Sequence, residues 1–433
     1  MTNNLRAALI AVAIVSAPSG AIPQAAIPAA IFVTWNGDPT TSVSVDWHLV
    51  AGSDIPALEL RRPGTAKWTR YNGTSFDFPY STRKVRRAQI EGLRPGTTYE
   101  LRIGDSRIYK YRTLPARLTR TLRFATGGDT QADEARLGRL NRIAAARDVD
   151  FVVYGGDLAY SDGDPRLVSR EETWFETITN TLVTEEGRLI PVIAAIGNHE
   201  VFSSRDTTGT TQQMIRETGV KRGEAPYFSV LHANASPPHY RVIDVGNYLS
   251  LVLLNTDHTA PVAGAQTVWL DSVLARRTRV PHVFPIYHVP AYPSVRSFDG
   301  TTSAQVREHW APLFEQFGVR VAFENHEHAY KRTFPITAGQ RDTSGVVYVG
   351  DGAWGSSPRP LGRGQKTRAW YVQTSQSANH GIFVTLEGRT AHFDVVHAAG
   401  TQIDAWCTTS QASGTDGKGV GCDDVRRWGR KPR

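Results

Sequence analysis

Five short turns in this sequence carry the side chains that could do chemistry. Each turn follows an apolar run of the kind that predicts a short buried strand, and each carries oxygen or imidazole donors. A single strand–glycine–aspartate turn is also an ordinary connection between elements, but five in one chain indicate a site. In chain order the turns are Gly127-Gly128-Asp129, Gly156-Asp157 with Tyr160, Gly197-Asn198-His199-Glu200, His288, and Asn325-His326-Glu327-His328.

The donor groups at these turns predict the kind of ligand. They are carboxylate, amide, phenol and imidazole groups, and no cysteine lies among them. Oxygen and imidazole donors without thiolates favour hard or borderline metal ions such as iron, manganese and zinc. The residues from Asp129 to His328 therefore predict a metal site built from the ends of five strands.

The elements that must position the turns alternate between strand and helix after about residue 121. Apolar runs predict strands at Arg123 to Thr126, Phe151 to Tyr154, Val192 to Ile196, Leu251 to Leu254, Val283 to Tyr287, Val319 to Phe323, Val346 to Val349 and within Phe383 to Val396. Helical patterns lie at Ala132 to Ala146, Trp174 to Leu182, Gln266 to Arg276 and Ser303 to Phe317. This alternation predicts an α/β sandwich.

The preceding region, Ala25 to Pro115, has the pattern of an all-β domain. Val43, Val45 and Trp47 alternate with polar residues, and Asn-Gly and Pro-Gly turns recur. The region contains no cluster of acidic residues and histidines, so a structural role is expected. Leu114 to Thr121 is the predicted linker to the second domain.

Composition limits the class of protein. A chain of 433 residues with 40% hydrophobic residues suits two or three domains with full cores. Lys and Arg outnumber Asp and Glu by 49 to 41, which suits anionic substrates but does not imply nucleic-acid binding. The two cysteines, Cys407 and Cys422, either form a disulfide in a loose tail or stay free thiols.

The N-terminus predicts export. Arg6 precedes an apolar run, Ala7 to Val15, that is too short to span a bilayer, and Ser19 and Ala21 are small residues of the kind that precede a cleavage site. A cleaved secretory signal at residues 1–21 is the favoured interpretation, and a disordered tail or short membrane anchor is the alternative. No later run predicts a membrane span, so we expect a soluble, secreted protein without a membrane partner.

The order of the blocks GDTQ, GDLAY, GNHE, PIYH and NHEH resembles the five-block signature of the calcineurin-like metallophosphoesterases. The tyrosine in the second block, Tyr160, and the β-domain in front narrow the resemblance to the purple acid phosphatases. It covers about residues 28–396. It implies a fibronectin type III-like domain at 28–117, an α/β metallophosphoesterase domain at 121–398 folded as a four-layer α/β/β/α sandwich, and a C-terminal tail at 399–433.

The resemblance also implies two metal sites that share one carboxylate. The first ion would be bound by Asp129, Asp157, Tyr160 and His328, and the second by Asp157, Asn198, His288 and His326. Two carboxylates and a phenolate favour Fe(III) in the first site, whereas one shared carboxylate with neutral donors favours Zn, Mn or Fe(II) in the second. Two ions about 3.5–4 Å apart can hold a phosphate and generate hydroxide.

His199 follows a metal ligand, and it resembles the histidine of the family that meets the substrate phosphate or the leaving group. Asp162 matches the carboxylate beside that histidine, and such a neighbour favours imidazolium, the form that donates a proton. The alternative is that His199 contacts only backbone.

The sequence departs from the family pattern at three positions within the blocks: Gln131, Pro285 and Asn325. These are not ligand positions, so metal binding is still expected. After the fourth block, Tyr292 or Arg296 is a candidate for contact with the substrate.

One further motif matches a pattern of nucleotide-binding proteins. Gly350 to Gly355 matches the dinucleotide-binding pattern GxGxxG after a strand, but the following SSPRPLGRG cannot continue as the helix that would bind a pyrophosphate. We expect a loop near the metal site instead.

The leading hypothesis is a secreted acid phosphatase with two metal ions that hydrolyses small phosphate monoesters by hydroxide attack. A phosphodiesterase or nucleotide-cleaving enzyme with the same metals is one alternative. A non-catalytic surface-binding protein with a degenerate metal site is another.

Overall fold

The computed structural model describes residues 27–50, 56–203, 208–233, 236–350, 352–361 and 369–410. The expected signal at residues 1–21 lies outside the described residues, so export stays a prediction. Cys407 lies in a described strand and takes part in a disulfide bond, whereas Cys422 lies outside the described residues. No helix in the described ranges is long and apolar enough to cross a membrane.

The described residues of the N-terminal unit form eight strands. They are β1 (Ala30–Thr34), β2 (Val43–Leu49), β3 (Leu58–Arg61), β4 (Thr69–Tyr71), β5 (Thr74–Asp77), β6 (Lys84–Ile90), β7 (Thr98–Ile103) and β8 (Tyr109–Arg112). One antiparallel sheet has the order β1-β2-β6-β5 and the other β4-β3-β7-β8. Alternate residues such as Val43, Val45 and Trp47 fill the core of the sandwich. The prediction of an all-β sandwich is confirmed.

Strand β2 is buried on both faces, although its apolar and polar residues alternate. Asp46 forms an ion pair with Arg87, and the ring of His48 lies 4.7 Å from the ring of Phe175 in the second domain. Desolvation, followed by the charges of Arg83 and Arg87, lowers the pKa of His48 to about 3, so its imidazole is neutral. The polar face of this strand is therefore an internal contact with the second domain.

The second domain consists of two sheets covered by helices. Its strands are β9 (Leu122–Gly127), β10 (Phe151–Tyr154), β11 (Val192–Ala194), β12 (Arg241–Val245), β13 (Leu249–Leu253), β14 (His282–Ile286), β15 (Val321–Glu324), β16 (Tyr330–Thr333), β17 (Ile336–Thr337), β18 (Gln340–Arg341), β19 (Val347–Gly350), β20 (Val372–Gln376), β21 (His380–Glu387), β22 (Thr390–His397) and β23 (Gln402–Thr409). Its helices are α1 (Glu134–Ala146), α2 (Val168–Thr181), α3 (Gly209–Thr218), α4 (Pro226–Leu231), α5 (Ala265–Ala275), α6 (Thr301–His309) and α7 (Ala311–Gln316).

These elements stack in four layers. The first sheet has the order β11-β10-β9-β21-β22-β23, and the second β12-β13-β14-β15-β19-β16-β20. Phe124 and Phe151 of the first sheet share one core with Phe284 and Phe323 of the second. Helices α1 and α2 cover the outer face of the first sheet, and α5, α6 and α7 cover that of the second. The predicted four-layer α/β/β/α sandwich is confirmed.

The sequence patterns do not predict α3, α4, β12, β16, β17, β18 or β20, and two further elements differ from the sequence predictions. The single helix expected at Ser303 to Phe317 is two helices, because the chain bends at Trp310 and Pro312, which has no N–H to donate, lies in the first turn of α7. Strand β23 lies in residues that the sequence left unassigned. It pairs antiparallel with β22, and Trp406 stacks on Phe393 at 4.6 Å. The first part of the expected tail is therefore the edge of the first sheet.

Candidate metal centre

The turns identified from the sequence lie at or just beyond the carboxyl ends of strands. Strands β9, β10 and β11 run parallel in the first sheet, and β14 and β15 run parallel in the second. Parallel neighbours end at the same edge of a sheet, which is where open α/β sheets bind their ligands. Because the two sheets face each other, donors from both meet at one edge of the sandwich.

Three of the predicted ligands form a first group of donor atoms. Tyr160 Oη lies 3.1 Å from Asp129 Oδ1 and 3.0 Å from His328 Nε2. His328 Nε2 in turn lies 2.9 Å from Asp129 Oδ1. Ser356 Oγ, which the sequence did not single out, donates to Tyr160 Oη over 2.8 Å. Asp129, Tyr160 and His328 thus point their donors at one small volume.

Four predicted ligands form a second group around His288. Its Nε2 atom lies 3.1 Å from Asp157 Oδ2, 3.2 Å from Asn198 Oδ1 and 3.0 Å from His326 Nδ1. One donor atom each from Asp157, His288 and His326 lies within 4.8 Å of the others. The Nδ1 atom of His288 lies 2.9 Å from the carbonyl oxygen of Gly155, which leaves Nε2 as the atom that faces the group.

Both groups have the spacing that a metal ion requires. Around an ion with bonds of about 2.1 Å, neighbouring donors at right angles lie about 3 Å apart. The separations within the two groups, from 2.9 to 3.2 Å, match that value. The groups are also joined through the backbone, because the N–H of His326 donates to Asp129 Oδ2 over 2.8 Å. The donor set therefore fits two neighbouring ions.

The charges of the site hold its acids and bases in defined states. Burial raises the pKa of the Tyr160 phenol far above its ordinary value, and the charges of Asp129 and Asp157 raise it further, so only a strong neighbouring cation would ionise it. Burial alone would lower the pKa of His288, but Asp157 raises it to about 9. Burial and the charge of His288 lower the pKa of His326.

The backbone at the site adopts a conformation that most residues avoid. Six non-glycine residues of the site have φ between +54° and +78°: Asp129, Asp157, Tyr160, Asp162, His326 and His328. The left-handed region costs a non-glycine residue of this kind on the order of 1–3 kcal/mol. Such strain persists where the surrounding structure imposes it, and its concentration at three of the five turns marks them as parts of a functional site.

His199 lies beside both groups without joining either. Its Nδ1 atom forms a very short contact with Asp162 Oδ1, its Nε2 atom lies 3.9 Å from Asp157 Oδ2, and its ring stacks on Tyr160 at 4.1 Å. Burial would lower the pKa of His199, but the hydrogen bond with Asp162 and the charge of Asp157 raise it above its ordinary value. The side chain is 32% exposed, so it can reach a bound substrate.

Two glutamates that the sequence reasoning missed hold the turns in place. Glu200 accepts the backbone N–H groups of Gly197 and Asp157, over 2.6 and 2.9 Å. Glu327 accepts those of Val295 and Arg296, over 2.6 and 2.5 Å. Each acid stands beside a predicted site histidine in its block, His199 in GNHE and His326 in NHEH, and that position was the available signal.

Asn325 occupies the position where the family pattern has glycine. Its side chain is buried, and Nδ2 donates to the carbonyl oxygen of Tyr287 over 2.9 Å. A Cβ atom on Gly128 would lie 2.6 Å from Asn325 Oδ1, and one on Gly155 would lie 1.8 Å from Nδ2. The amide therefore fills the space between turns that precede Asp129, Asp157 and His288.

The GxGxxG segment forms the expected loop beside the site. Trp354 N donates to the carbonyl oxygen of Gly128 over 3.0 Å, and Ser356 N donates to that of Asp129 over 2.8 Å. A Cβ atom on Gly352 would lie 1.8 Å from Asp129 Oδ2, so the close approach requires glycine there. The loop covers the first group of donors, and no helix follows among its described residues.

Of the two candidates after the fourth block, Tyr292 is a core residue. It is 2% exposed and packs against Tyr348 and Tyr371 at 4.6 and 5.3 Å. Arg296 is partly exposed and forms an ion pair with Glu327 at 2.8 Å, next to His326. Only Arg296 therefore lies where a substrate could meet it.

Comparison with known proteins agrees with this geometry. Residues 122–330 match the calcineurin-like phosphoesterase family, and residues 28–126 match the N-terminal domain of the purple acid phosphatases. The chain is a metallophosphoesterase. Within that class it is a purple acid phosphatase-like member, and an enzyme of the phosphatase type.

Individual relatives are distant but extend over most of the chain. Purple acid phosphatase 21 of Arabidopsis thaliana is 25% identical over 333 residues, 76% of this chain and 71% of its own. Acid phosphatase type 7 of Mus musculus is 26% identical over 338 residues, 71% of each chain. The solved purple acid phosphatase PPD1 from yellow lupin (Lupinus luteus) has a TM-score of 0.67 at 15% identity, covering 88% of this chain and 74% of its own. The structural similarity to PPD1 shows the fold.

Proposed function

We propose that the protein is an exported acid phosphatase that hydrolyses phosphate monoesters with two metal ions. The observation that carries the proposal is the meeting of two groups of donor atoms, each spaced about 3 Å, at one edge of the sandwich. The first ion would be held by Asp129, Asp157, Tyr160 and His328. The second would be held by Asp157, Asn198, His288 and His326.

The charges of the donors support different ions in the two sites. A phenolate and two carboxylates suit Fe(III), and one shared carboxylate with an amide and two imidazoles suits Zn, Mn or Fe(II). When bound, two such ions would polarise the phosphate and lower the pKa of a water molecule that can act as the nucleophile. The bridging position of Asp157 is supported by two observations. Its Oδ2 atom lies 3.1 Å from His288 Nε2 in the second group, and, in addition to burial and Asp129, its charge raises the pKa of Tyr160 in the first group.

His199 has the position of a general acid. Asp162 holds its Nδ1 atom, so Nε2 faces the phosphate-binding region beside Asp157. The carboxylate favours imidazolium, which can give a proton to a departing alkoxide and contribute about 10²–10⁴-fold to the rate. The alternative role of His199 is to bind the phosphate of the substrate.

We also propose the domain limits and the location that the sequence predicts. The limits are 28–117 for the β-domain and 121–398 for the catalytic domain, which β23 (Gln402–Thr409) extends into the region expected as a tail at 399–433. Export is supported by the pattern from Arg6 to Ala21. The expected substrate is a small phosphate ester.

The first test is metal content together with a substrate panel. The proposal expects two ions per chain and faster hydrolysis of phosphate monoesters than of diesters at acid pH. Faster cleavage of diesters would favour the phosphodiesterase alternative, and fewer than one ion per chain without activity would favour a non-catalytic protein.

The second test concerns His199. An aryl leaving group such as nitrophenolate needs little help from an acid, so His199→Ala should lose far more rate on alkyl phosphates than on nitrophenyl phosphate, with metals retained. Asp162→Asn should show a milder form of the same pattern. Equal losses on both substrates would mean that His199 binds the phosphate instead of protonating the leaving group.

A further inference from the structure

Two arginine side chains meet beside the candidate metal centre. The Nη1 atoms of Arg296 and Arg359 both donate to the carbonyl oxygen of His326, over 2.9 and 3.1 Å. The backbone N–H of Arg359 also donates to the carbonyl oxygen of His328 over 2.9 Å. Both guanidinium groups are therefore fixed against the block that supplies a histidine to each group of donors.

The pair carries more positive charge than its surroundings balance. Glu327, which is fully buried, forms an ion pair with Arg296 at 2.8 Å. Among the described residues no carboxylate lies within ion-pair distance of Arg359, and its only side-chain hydrogen bond is to a carbonyl oxygen. Within the described part of the chain, the one carboxylate is paired with Arg296, which leaves the positive charge of Arg359 available at the edge of the site.

The chain around Arg359 holds it in place. Pro358 and Pro360 flank it, and each proline restricts the backbone of its neighbourhood. The side chain is partly exposed, so a ligand can reach it. A guanidinium that is fixed before binding loses less entropy when it binds an anion.

On the basis of the proposed function, we propose that Arg359, with Arg296 beside it, binds a second anionic group of the substrate. A planar guanidinium binds a carboxylate or a phosphate through two parallel hydrogen bonds. The pair is anchored to the carbonyl oxygen of His326, whose Nδ1 atom belongs to the second group of donors. A small molecule whose phosphate is held at the donors could therefore place a second charged group at the arginines. The preferred substrates are therefore phosphate esters that also carry a carboxylate or another phosphate.

The test compares three substrates that differ in charge. Glycerol 3-phosphate carries only the reacting phosphate, 3-phosphoglycerate adds a carboxylate, and 2,3-bisphosphoglycerate adds a second phosphate as well. The wild type should have a higher kcat/KM on the second and third. Arg359→Ala should reduce the ratio of kcat/KM between 3-phosphoglycerate and glycerol 3-phosphate about 10- to 100-fold, the effect of losing a charge-assisted contact. The change should lie mainly in KM, and Arg359→Lys should recover part of it.

A matched control separates this contact from the overall charge of the protein. Arg62 is exposed in the β-domain, and Arg62→Ala removes the same charge at a site remote in sequence from every predicted ligand, so it should leave the ratio unchanged. Metal content should be the same in all variants. Equal losses on the three substrates after Arg359→Ala would overturn the inference, because they would indicate a structural role at His326 and His328.

The failure of the inference can be told apart from the failure of the proposed function. A wild type that hydrolyses glycerol 3-phosphate but shows no preference for the more highly charged esters would overturn the inference and leave the phosphatase proposal intact. A wild type with two metal ions that hydrolyses none of the three would overturn both.

Discussion

Replacing Gly155 by alanine tests whether the side chain of Asn325 sets the spacing of the metal-binding turns. A Cβ atom at Gly155 would lie 1.8 Å from Asn325 Nδ2 and 2.4 Å from its Cγ. The backbone of Gly155 is outside the left-handed region, so alanine itself is permitted there. Asn325 has little room to move, because it is 1% exposed and bonded to the carbonyl oxygen of Tyr287.

The expected loss of stability follows from the clash and from the hydrogen bond that Asn325 would lose if its side chain moved. Overpacking a filled interior costs about 1–3 kcal/mol, and a lost hydrogen bond adds about 0.5–1.5 kcal/mol. Gly155→Ala should therefore reduce the free energy of unfolding by about 2–4 kcal/mol. Asn325→Gly removes the obstacle, so the double variant should be more stable than the sum of the single effects by about 1–3 kcal/mol.

The measurement is chemical unfolding of the four proteins of the cycle, with metal content determined on each. Gly155→Ala should also weaken metal binding, because Gly155 accepts from His288 and lies two residues before Asp157. Gly209→Ala is the matched control: a Cβ atom there meets nothing within 4 Å and no unusual φ is required, so stability should be maintained. Strictly additive effects of Gly155→Ala and Asn325→Gly would refute the reasoning.

Three further predictions concern the ligands and one buried acid. Tyr160→Phe should bleach a pink to purple wild type and weaken ferric binding, because phenolate-to-iron charge transfer gives the colour; an absorption spectrum with colour retained in the variant would exclude Tyr160 as a ligand. By metal analysis, Asp157→Asn should lose both ions and His288→Ala mainly the divalent one, and an Asp157→Asn protein with both ions would contradict the shared carboxylate. Burial raises the pKa of Glu171 from 4.5 to about 8, so the wild type should lose stability as the pH rises from about 4.5 to about 8, since the unfolded chain ionises first. Unfolding midpoints of Glu171→Gln should be flatter over that range, and parallel curves for the two proteins would show that Glu171 is not protonated in the folded state.

The ligand turns could be predicted because their signal is local. Strand Phe151–Tyr154 is apolar and uninterrupted, and the glycines that follow it break the strand directly before Asp157. Residues such as Glu200 and Asn325 could not be assigned, because their partners come from other turns, as in the bond from Asp157 N to Glu200. Arg359 follows a glycine-rich stretch with no regular pattern, so only the folded chain shows that it meets Arg296.

The fold shows the same division between local and distant information. Pro312 is a local signal, and it explains the two helices in place of one. The double burial of β2 has no local signal. Asp46 and His48 alternate with apolar residues as exposed residues would, but in the folded chain His48 packs against Phe175 of α2 and Asp46 is paired with Arg87.

The burial of β1 and β2 against α2 means that the two domains share a hydrophobic interior. Ala30 and Phe32 of the β-domain belong to the same core as Trp174 and Phe175, and the N–H of Ile31 donates to Thr179 Oγ1 over 2.9 Å. A shortened chain beginning at Thr121 would expose the aromatic side of α2 to water. Cutting the chain at the predicted linker would therefore not give two independent domains. An enzyme engineered by exchanging this β-domain would need α2 exchanged with it.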